Sequence, residues 1–135
     1  MNITYSTTAK ISTDQAIDLY IRSTLGERRP IHNRQVVDDM YKHANLIVSA
    51  WDVDKLVGIS RVLTDFSYVA YLSDLAVDIQ YQKRGIGKRL IEETKSCLGP
   101  ECGLVLLAAP KASEYYRPLG FDQHPSAWTL KKTVK

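Results

Sequence analysis

The segment from Ser67 to Ala108 restricts the fold more than any other part of the chain. Ser67 to Val77 is a long, mostly apolar run of strand character. A polar segment, Asp78 to Arg84, leads from it into a helix expected over Gly85 to Cys97. After that helix, Leu104 to Ala108 (Leu-Val-Leu-Leu-Ala) is again a short apolar run. Two buried strands joined through a helix require a right-handed crossover and lie parallel. A run with no polar residue reads as a central strand covered on both faces. Within the helix Ile86, Leu90, Ile91, Thr94, Cys97 and Leu98 share one face, and Gly99-Pro100 ends it.

The remaining elements follow from periodicity and punctuation. Ile3 to Tyr5 reads as a first strand. Ser12-Thr13-Asp14-Gln15 opens a helix with the spacing of a capping box, and Ala16, Leu19 and Tyr20 give it an apolar face. Gly26 to Pro30 breaks it, and Val36, Val37, Met40 and Tyr41 mark a second helix. Leu46 to Trp51 and Leu56 to Leu63 form a hairpin across Asp52-Val53-Asp54-Lys55. A short helix is expected from Ala112 to Leu119, stopped by Gly120, and a last edge strand from Trp128 to Lys131. The result is a mixed α/β fold with helices on both faces of its sheet.

With 135 residues, this is expected to be one domain spanning residues 1–135. Lys and Arg number 18 against 15 Asp and Glu, a formal charge of +3. That balance is too weak to argue for nucleic acid. No apolar run approaches the roughly 20 residues that span a membrane. Met1 to Lys10 is polar and carries no secretory signal, so the expected location is cytoplasmic. Cys97 and Cys102 lack the companion ligands of a zinc site and read as reduced thiols. His32, His43 and His124 have no spacing for a metal or a triad and read as surface or loop, with His124 nearest to an acceptor role.

The chemistry concentrates in Gln82-Lys83-Arg84-Gly85-Ile86-Gly87-Lys88, between a buried strand and an amphipathic helix. Two glycines at a helix start let the backbone turn tightly beside a ligand. The unpaired N–H groups of the first turn, with the helix dipole, suit a phosphate. The segment does not match G-x-x-x-x-G-K-[ST], and Leu90 stands where a dinucleotide fingerprint needs its third glycine. A P-loop hydrolase and a Rossmann dehydrogenase are therefore excluded.

Gln82-x-x-Gly85-x-Gly87 after Leu75-Ala76-Val77 resembles the acetyl-coenzyme A signature of the GCN5-related N-acetyltransferase (GNAT) family. Ala112-Ser113-Glu114-Tyr115-Tyr116-Arg117-Pro118-Leu119-Gly120-Phe121 resembles that family's A-x-x-F-Y-x-x-x-G-F segment, with Tyr115 at the Phe position. The element order agrees, so the resemblance covers nearly the whole chain. It implies a mostly antiparallel sheet in which the strand before the loop splays from its parallel neighbour. The pantetheine arm of acetyl-coenzyme A would enter that gap against the backbone of Leu75, Ala76 and Val77. The amides of Arg84, Gly85, Ile86, Gly87 and Lys88 would hold the pyrophosphate, with Gln82 and Lys83 bordering the same loop.

The same resemblance makes Tyr116 the general acid that protonates the departing thiolate, and Tyr115 a packing residue. Asp74, just before the cofactor strand, is the first candidate for the base, with ordered water as the alternative. Strand alternation puts Asp74 on the face of Ala76, opposite Leu75. Two departures stand out: Ala109 where the family often has Asn, and Pro118 late in the last helix. The acceptor groove would be walled by Arg22 to Asn33, with Arg22, Glu27, Arg28 and Arg29 of mixed sign. A small-molecule primary amine is the expected acceptor, attacked directly in a ternary complex, because neither cysteine falls at the acetyl site. No metal, nucleic acid or membrane is called for, and a homodimer is compatible with this reading. The alternatives are acetylation of a peptide or protein amine, a non-catalytic coenzyme A sensor, and a nucleic-acid binder using Lys83 to Arg89.

Overall fold

The order of secondary structure follows the hydrophobic pattern closely up to the glycine turn, and less closely after it. The computed structural model describes residues 2–132. Its elements are β1 (Ile3–Ser6), α1 (Thr13–Ser23), α2 (Arg34–His43), β2 (Leu46–Asp52), β3 (Lys55–Thr64), β4 (Val69–Val77), α3 (Ile86–Ser96) and β5 (Gly103–Val105). Short 3₁₀ turns occupy Leu25–Arg28, Ile79–Tyr81, Pro110–Tyr115 and Arg117–Leu119. None of the described helices is long and apolar enough to cross a membrane.

The start of α1 is specified locally. The Ser12 hydroxyl accepts from the Gln15 amide at 3.1 Å, and the Gln15 side chain accepts from the Ser12 amide at 2.9 Å. Two orphan donors of the first turn are thereby satisfied. Asn33 caps α2 by accepting from the amide of Val36.

The strands form one sheet in the order β1-β2-β3-β4-β5; the first three pairings are antiparallel and β4–β5 is parallel. Helix α3 covers one face, packing on β2, β3 and β4, while α1 packs on β3, β4 and α2 on the other. Leu46, Val48, Ala50, Val62, Ala70 and Leu72 meet Ile86, Leu90 and Ile91 in the larger core. Leu19, Tyr20, Leu56, Ile59 and Ala76 form the smaller one, under α1 and α2. Thr94 of α3 is pinned to β3 by a bond between its hydroxyl and that of Ser60, at 2.8 Å.

A bulge in β4 changes what each residue faces. Arg61 opposes Asp74 and the next residue, Val62, opposes Leu72, so Ser73 has no partner on β3. Before the bulge, Ala70 and Leu72 point into the core under α3; after it, Ala76 points into the core under α1. The expected pairing of Asp74 with Ala76 on one face therefore holds, in a strand whose facing was reset one residue earlier.

Three expectations about the C-terminal third need correction. The run Leu104 to Ala108 is not a covered central strand. Only Gly103–Val105 pairs, and it is the edge of the described sheet, because the parallel ladder stops at Tyr71–Val105. The apolar side chains that follow, Leu106 and Leu107, line cavities instead. The helix expected from Ala112 to Leu119 is two 3₁₀ turns, with a proline at the start of each. Proline supplies no backbone donor, so Pro118 interrupts the helical bonding at that point. Trp128 to Lys131 forms no strand. Trp128 and Leu130 are 93% and 98% exposed, with the alternation of an edge strand and no described strand beside them.

Leu90 has no solvent exposure and touches the face of Gly58 that a side chain would fill. Replacing Leu90 with Ala should cost about 2–5 kcal/mol, read as a lower urea midpoint at unchanged slope.

Candidate active site

Past Tyr71 and Val105, β4 and β5 separate, and the backbone edge of β4 that faced β5 loses its partner. A cavity of about 620 Å³ opens in that gap. Its floor is Leu75, Ala76 and Val77 of β4, and Leu106, Leu107 and Ala109 lie opposite. A third wall comes from the end of α1 and the 3₁₀ turn after it, through Ser23, Thr24, Leu25, Glu27, Arg28 and Arg29. Leu72, Ser73, Gln82, Ala112 and Tyr116 complete the lining. An unpaired strand edge over a cavity can bond a peptide-like ligand as another strand would.

The glycine turn stands at one end of this gap. Gly85 is the N-cap of α3 with φ of 81°, the left-handed region, and no side chain caps the helix. A Cβ there would meet nothing within 4 Å, so the demand for glycine is conformational. Lys83 also has positive φ, 64°. The Gln82 amide donates to the carbonyl of Val77 at 3.1 Å, tying the turn to the end of β4. Tyr81 supports the turn from below. Its hydroxyl donates to Asp52 at 2.6 Å, and the Arg84 and Lys55 cations sit 5.4 Å and 5.2 Å from its ring. Lys83, Arg84 and Lys88 are exposed around the open helix end.

Gly87 has the opposite requirement. A Cβ at that position would run into the hydroxyl of Tyr115. Tyr115 thus packs across the first turn of α3, and its ring meets that of Tyr116 edge-on, with centroids 5.1 Å apart. Phe121 meets Tyr116 from another side at 5.6 Å. Between these rings Tyr116 is half-buried, and its hydroxyl has no hydrogen-bond partner among the described residues. Burial, reinforced by Tyr115, raises its pKa against the opposing pull of Arg28 and Arg29. At neutral pH it therefore keeps its proton, as an acid must.

Asp74 lies elsewhere. It has no solvent exposure and does not line the cavity. Arg29 Nε donates to one carboxylate oxygen at 2.6 Å and Arg61 Nε to the other at 2.6 Å. The Tyr20 hydroxyl donates to the second oxygen at 2.5 Å and lies 2.6 Å from the Tyr41 hydroxyl. Burial alone would raise the Asp74 pKa; the bonds and charges of Arg61, Tyr20 and Arg29 outweigh it and hold the carboxyl below its ordinary value. The neighbouring tyrosines are pushed upward by burial and by the same negative charge. Periodicity alone did not reveal this network. The clue in the sequence was the placement of Asp74 on the inward face of Ala76, since a buried carboxylate demands cationic partners.

Arg22, expected in the acceptor groove, is in α1 and turns away from it. It pairs with Asp78 at 2.5 Å and bonds the Leu56 carbonyl at 2.8 Å. His32, His43 and His124 are exposed, and His124 lines a second cavity of about 540 Å³ on the far side of β5.

The acetyltransferase (GNAT) domain family matches residues 12–133. A histone acetyltransferase of Glycine max is 37% identical over 73 residues, which cover 53% of this chain and 32% of that protein. The chain thus spans about a third of the length of that curated relative. A GNAT-family acetyltransferase from Streptococcus pneumoniae has the same fold, with a TM-score of 0.74 at 22% identity over 97% of this chain and 100% of that one. An aminoglycoside acetyltransferase from an uncultured soil metagenomic sample, solved in complex with sisomicin, superposes with a TM-score of 0.67 at 21% identity, over 98% and 97% of the two chains.

Because the Asp74 carboxyl is depressed in the folded state, the unfolded chain takes up the proton first as pH falls. Its stabilisation is complete above the unfolded value near 3.8 and is lost as pH drops through the lower folded value. Asp74→Asn should therefore lower stability at pH 7 by about 3–5 kcal/mol and flatten the acid limb of the stability profile, read by urea unfolding from pH 7 to pH 3.

Proposed function

Because the chain belongs to the acetyltransferase (GNAT) family, we propose that it transfers an acetyl group from acetyl-coenzyme A to a primary amine, by direct attack in a ternary complex. The observation that carries this reading is one cavity joining Gln82, at the start of the glycine turn, to the opened edge of β4, Tyr116 and the loop ending at Arg29. The residues fit the cofactor: the N-terminus of α3, which no side chain caps, suits its pyrophosphate, and the β4 edge without a β5 partner at Leu75, Ala76 and Val77 suits its amide-bearing arm. Gln82, Lys83, Arg84, Gly85, Ile86, Gly87 and Lys88 would hold the phosphate end. When bound, acetyl-coenzyme A supplies an acyl group already activated as a thioester.

The chain's own part is to orient the reactants and to move protons. Tyr116 Oη, kept protonated by burial, donates to the departing sulfur. We assign the ammonium proton of the acceptor to ordered water, because Asp74 is enclosed by Arg29, Arg61 and Tyr20 and lies off the cavity. Direct attack is supported by the position of Cys97 and Cys102, neither of which lines the cavity. The acceptor favoured here is a small-molecule amine entering beside Glu27 and Arg28, in the cytoplasm. The histone acetyltransferase relative makes a lysine side chain of a protein the second acceptor to test.

A thermal-shift titration with acetyl-coenzyme A, coenzyme A, ATP and NAD tests the binding half. Saturation at about 100 times the dissociation constant adds about 2.7 kcal/mol, and only the first two ligands should raise the melting temperature. Gly85→Val, which forces a branched side chain into the left-handed region, should abolish that shift in a folded chain; a retained shift would remove the turn from the cofactor site. Thiol release with sisomicin, spermidine and a lysine-containing peptide then ranks the acceptors. Tyr116→Phe should lower kcat by about 100-fold while acetyl-coenzyme A affinity stays within about two-fold. Unchanged turnover would take Tyr116 out of the acid role.

A further inference from the structure

We infer that Arg29 is a positioning residue for acetyl transfer, tying the acceptor wall of the cavity to the β4 bulge and so fixing where amine and thioester meet. The inference rests on the acetyltransferase reading above. Arg29 follows the 3₁₀ turn Leu25–Arg28 in extended conformation, and its guanidinium uses all three nitrogens. Nε donates to Asp74 at 2.6 Å, Nη2 to the Ser73 carbonyl at 2.7 Å and Nη1 to the Arg28 carbonyl at 2.8 Å. One planar group thus joins the turn to two successive residues of β4, one of them the bulged Ser73.

Arg61 grips the same two residues from the sheet side. Its Nε bonds the other oxygen of Asp74 and its Nη2 bonds the Ser73 hydroxyl at 2.9 Å. The bulge is therefore fixed to β3 by one arginine and to the cavity wall by the other. The remaining hydrogen bonds described for residues 23–29 run within that segment, back to α1 or on to Ile31, so Arg29 carries the polar link from this wall to β4. Ser73, Leu75 and Ala76 line the cavity on one side and Glu27 and Arg28 on another. With its three nitrogens engaged, Arg29 serves as a brace, and Arg28, exposed beside it, is left for the substrate.

The fork of a guanidinium is essential to this geometry, since an ammonium cannot reach a carboxylate and a backbone carbonyl in one plane. A misplacement of about 1 Å between reacting groups costs about 100-fold in rate. Arg29→Ala and Arg29→Lys should therefore both lose about 100-fold in kcat with whichever of sisomicin, spermidine or the lysine peptide the wild type acetylates fastest. Their dissociation constants for acetyl-coenzyme A should stay within about two-fold of wild type. Millimolar guanidinium chloride should restore about ten-fold of the lost rate to Arg29→Ala and none to Arg29→Lys or the wild type. Arg34→Ala, at an exposed pair with Asp14, is the control and should leave every value unchanged.

A lysine variant with wild-type kcat would overturn the brace in favour of charge alone. Loss of acetyl-coenzyme A affinity in proportion to kcat would overturn it in favour of a purely structural role; the melting temperature falls on either account, because Asp74 loses a partner. If wild type itself binds no acetyl-coenzyme A, the acetyltransferase reading fails separately. Amide hydrogen exchange at residues 73–76 then still reads the brace: faster in Arg29→Ala than in Arg34→Ala supports it, and equal rates overturn it.

Discussion

A carboxylate with no access to water must be neutralised where it stands, and the structure around the cavity follows from how Asp74 meets that demand. Two guanidinium groups and a phenol surround it, each from a different part of the chain: Tyr20 from α1, Arg29 from the turn after α1, and Arg61 from β3. Removing one partner of such a group leaves a buried charge uncompensated, at a cost of about 3–5 kcal/mol. The network specifies an arrangement more than it adds stability, because a well-packed apolar set could fill the same volume. What it specifies is the bulge. Ser73 is held out of the β3 ladder next to the bound carboxylate, and β4 turns away from β5 within two residues of it.

The two ends of the resulting cavity differ in electrostatic character. At the glycine turn the positive charge is exposed, on Lys83, Arg84 and Lys88 around a helix terminus that no side chain caps. Such charge can attract an anion from a distance, with a strength that falls with salt. At the other end the positive charge of Arg29 is neutralised and locked, which suits a place where geometry matters more than attraction. Tyr116 lies between the two, oriented by contacts with Tyr115 and Phe121 and by no hydrogen bond to a described residue.

The sequence made the first half of the fold readable because the signals there are local. A capping box, a hairpin turn and alternation over two strands each act within a few residues, and Ser12, Asp52 to Lys55 and Leu46 to Leu63 fall as expected. The glycine turn was equally legible, since positive φ at Gly85 is a single-residue requirement. The misreadings share a cause. Leu104 to Ala108 is apolar because all five residues line cavities, and apolar composition does not distinguish a covered strand from a cavity wall. Trp128 to Lys131 has the alternation of a strand, yet pairing depends on a partner that no local pattern reports. The pairing of Arg29 with Asp74 spans 45 positions, and only the inward placement of Asp74 hinted that a cation must come to it. How far the candidate site was legible follows the same division: the turn and the two tyrosines were visible as motifs, the brace was not.

The contact between Gly87 and the Tyr115 hydroxyl links the two signature segments in evolutionary terms as well as spatial ones. Any side chain at 87 needs the phenol oxygen to move aside, whereas phenylalanine, the residue that the family pattern has at position 115, would present no such oxygen. Drift at position 87 is therefore conditional on the residue at position 115, whereas loss of the Tyr115 hydroxyl asks nothing of Gly87. A first segment with alanine or serine at position 87 would clash in a chimera whose second segment keeps tyrosine at position 115.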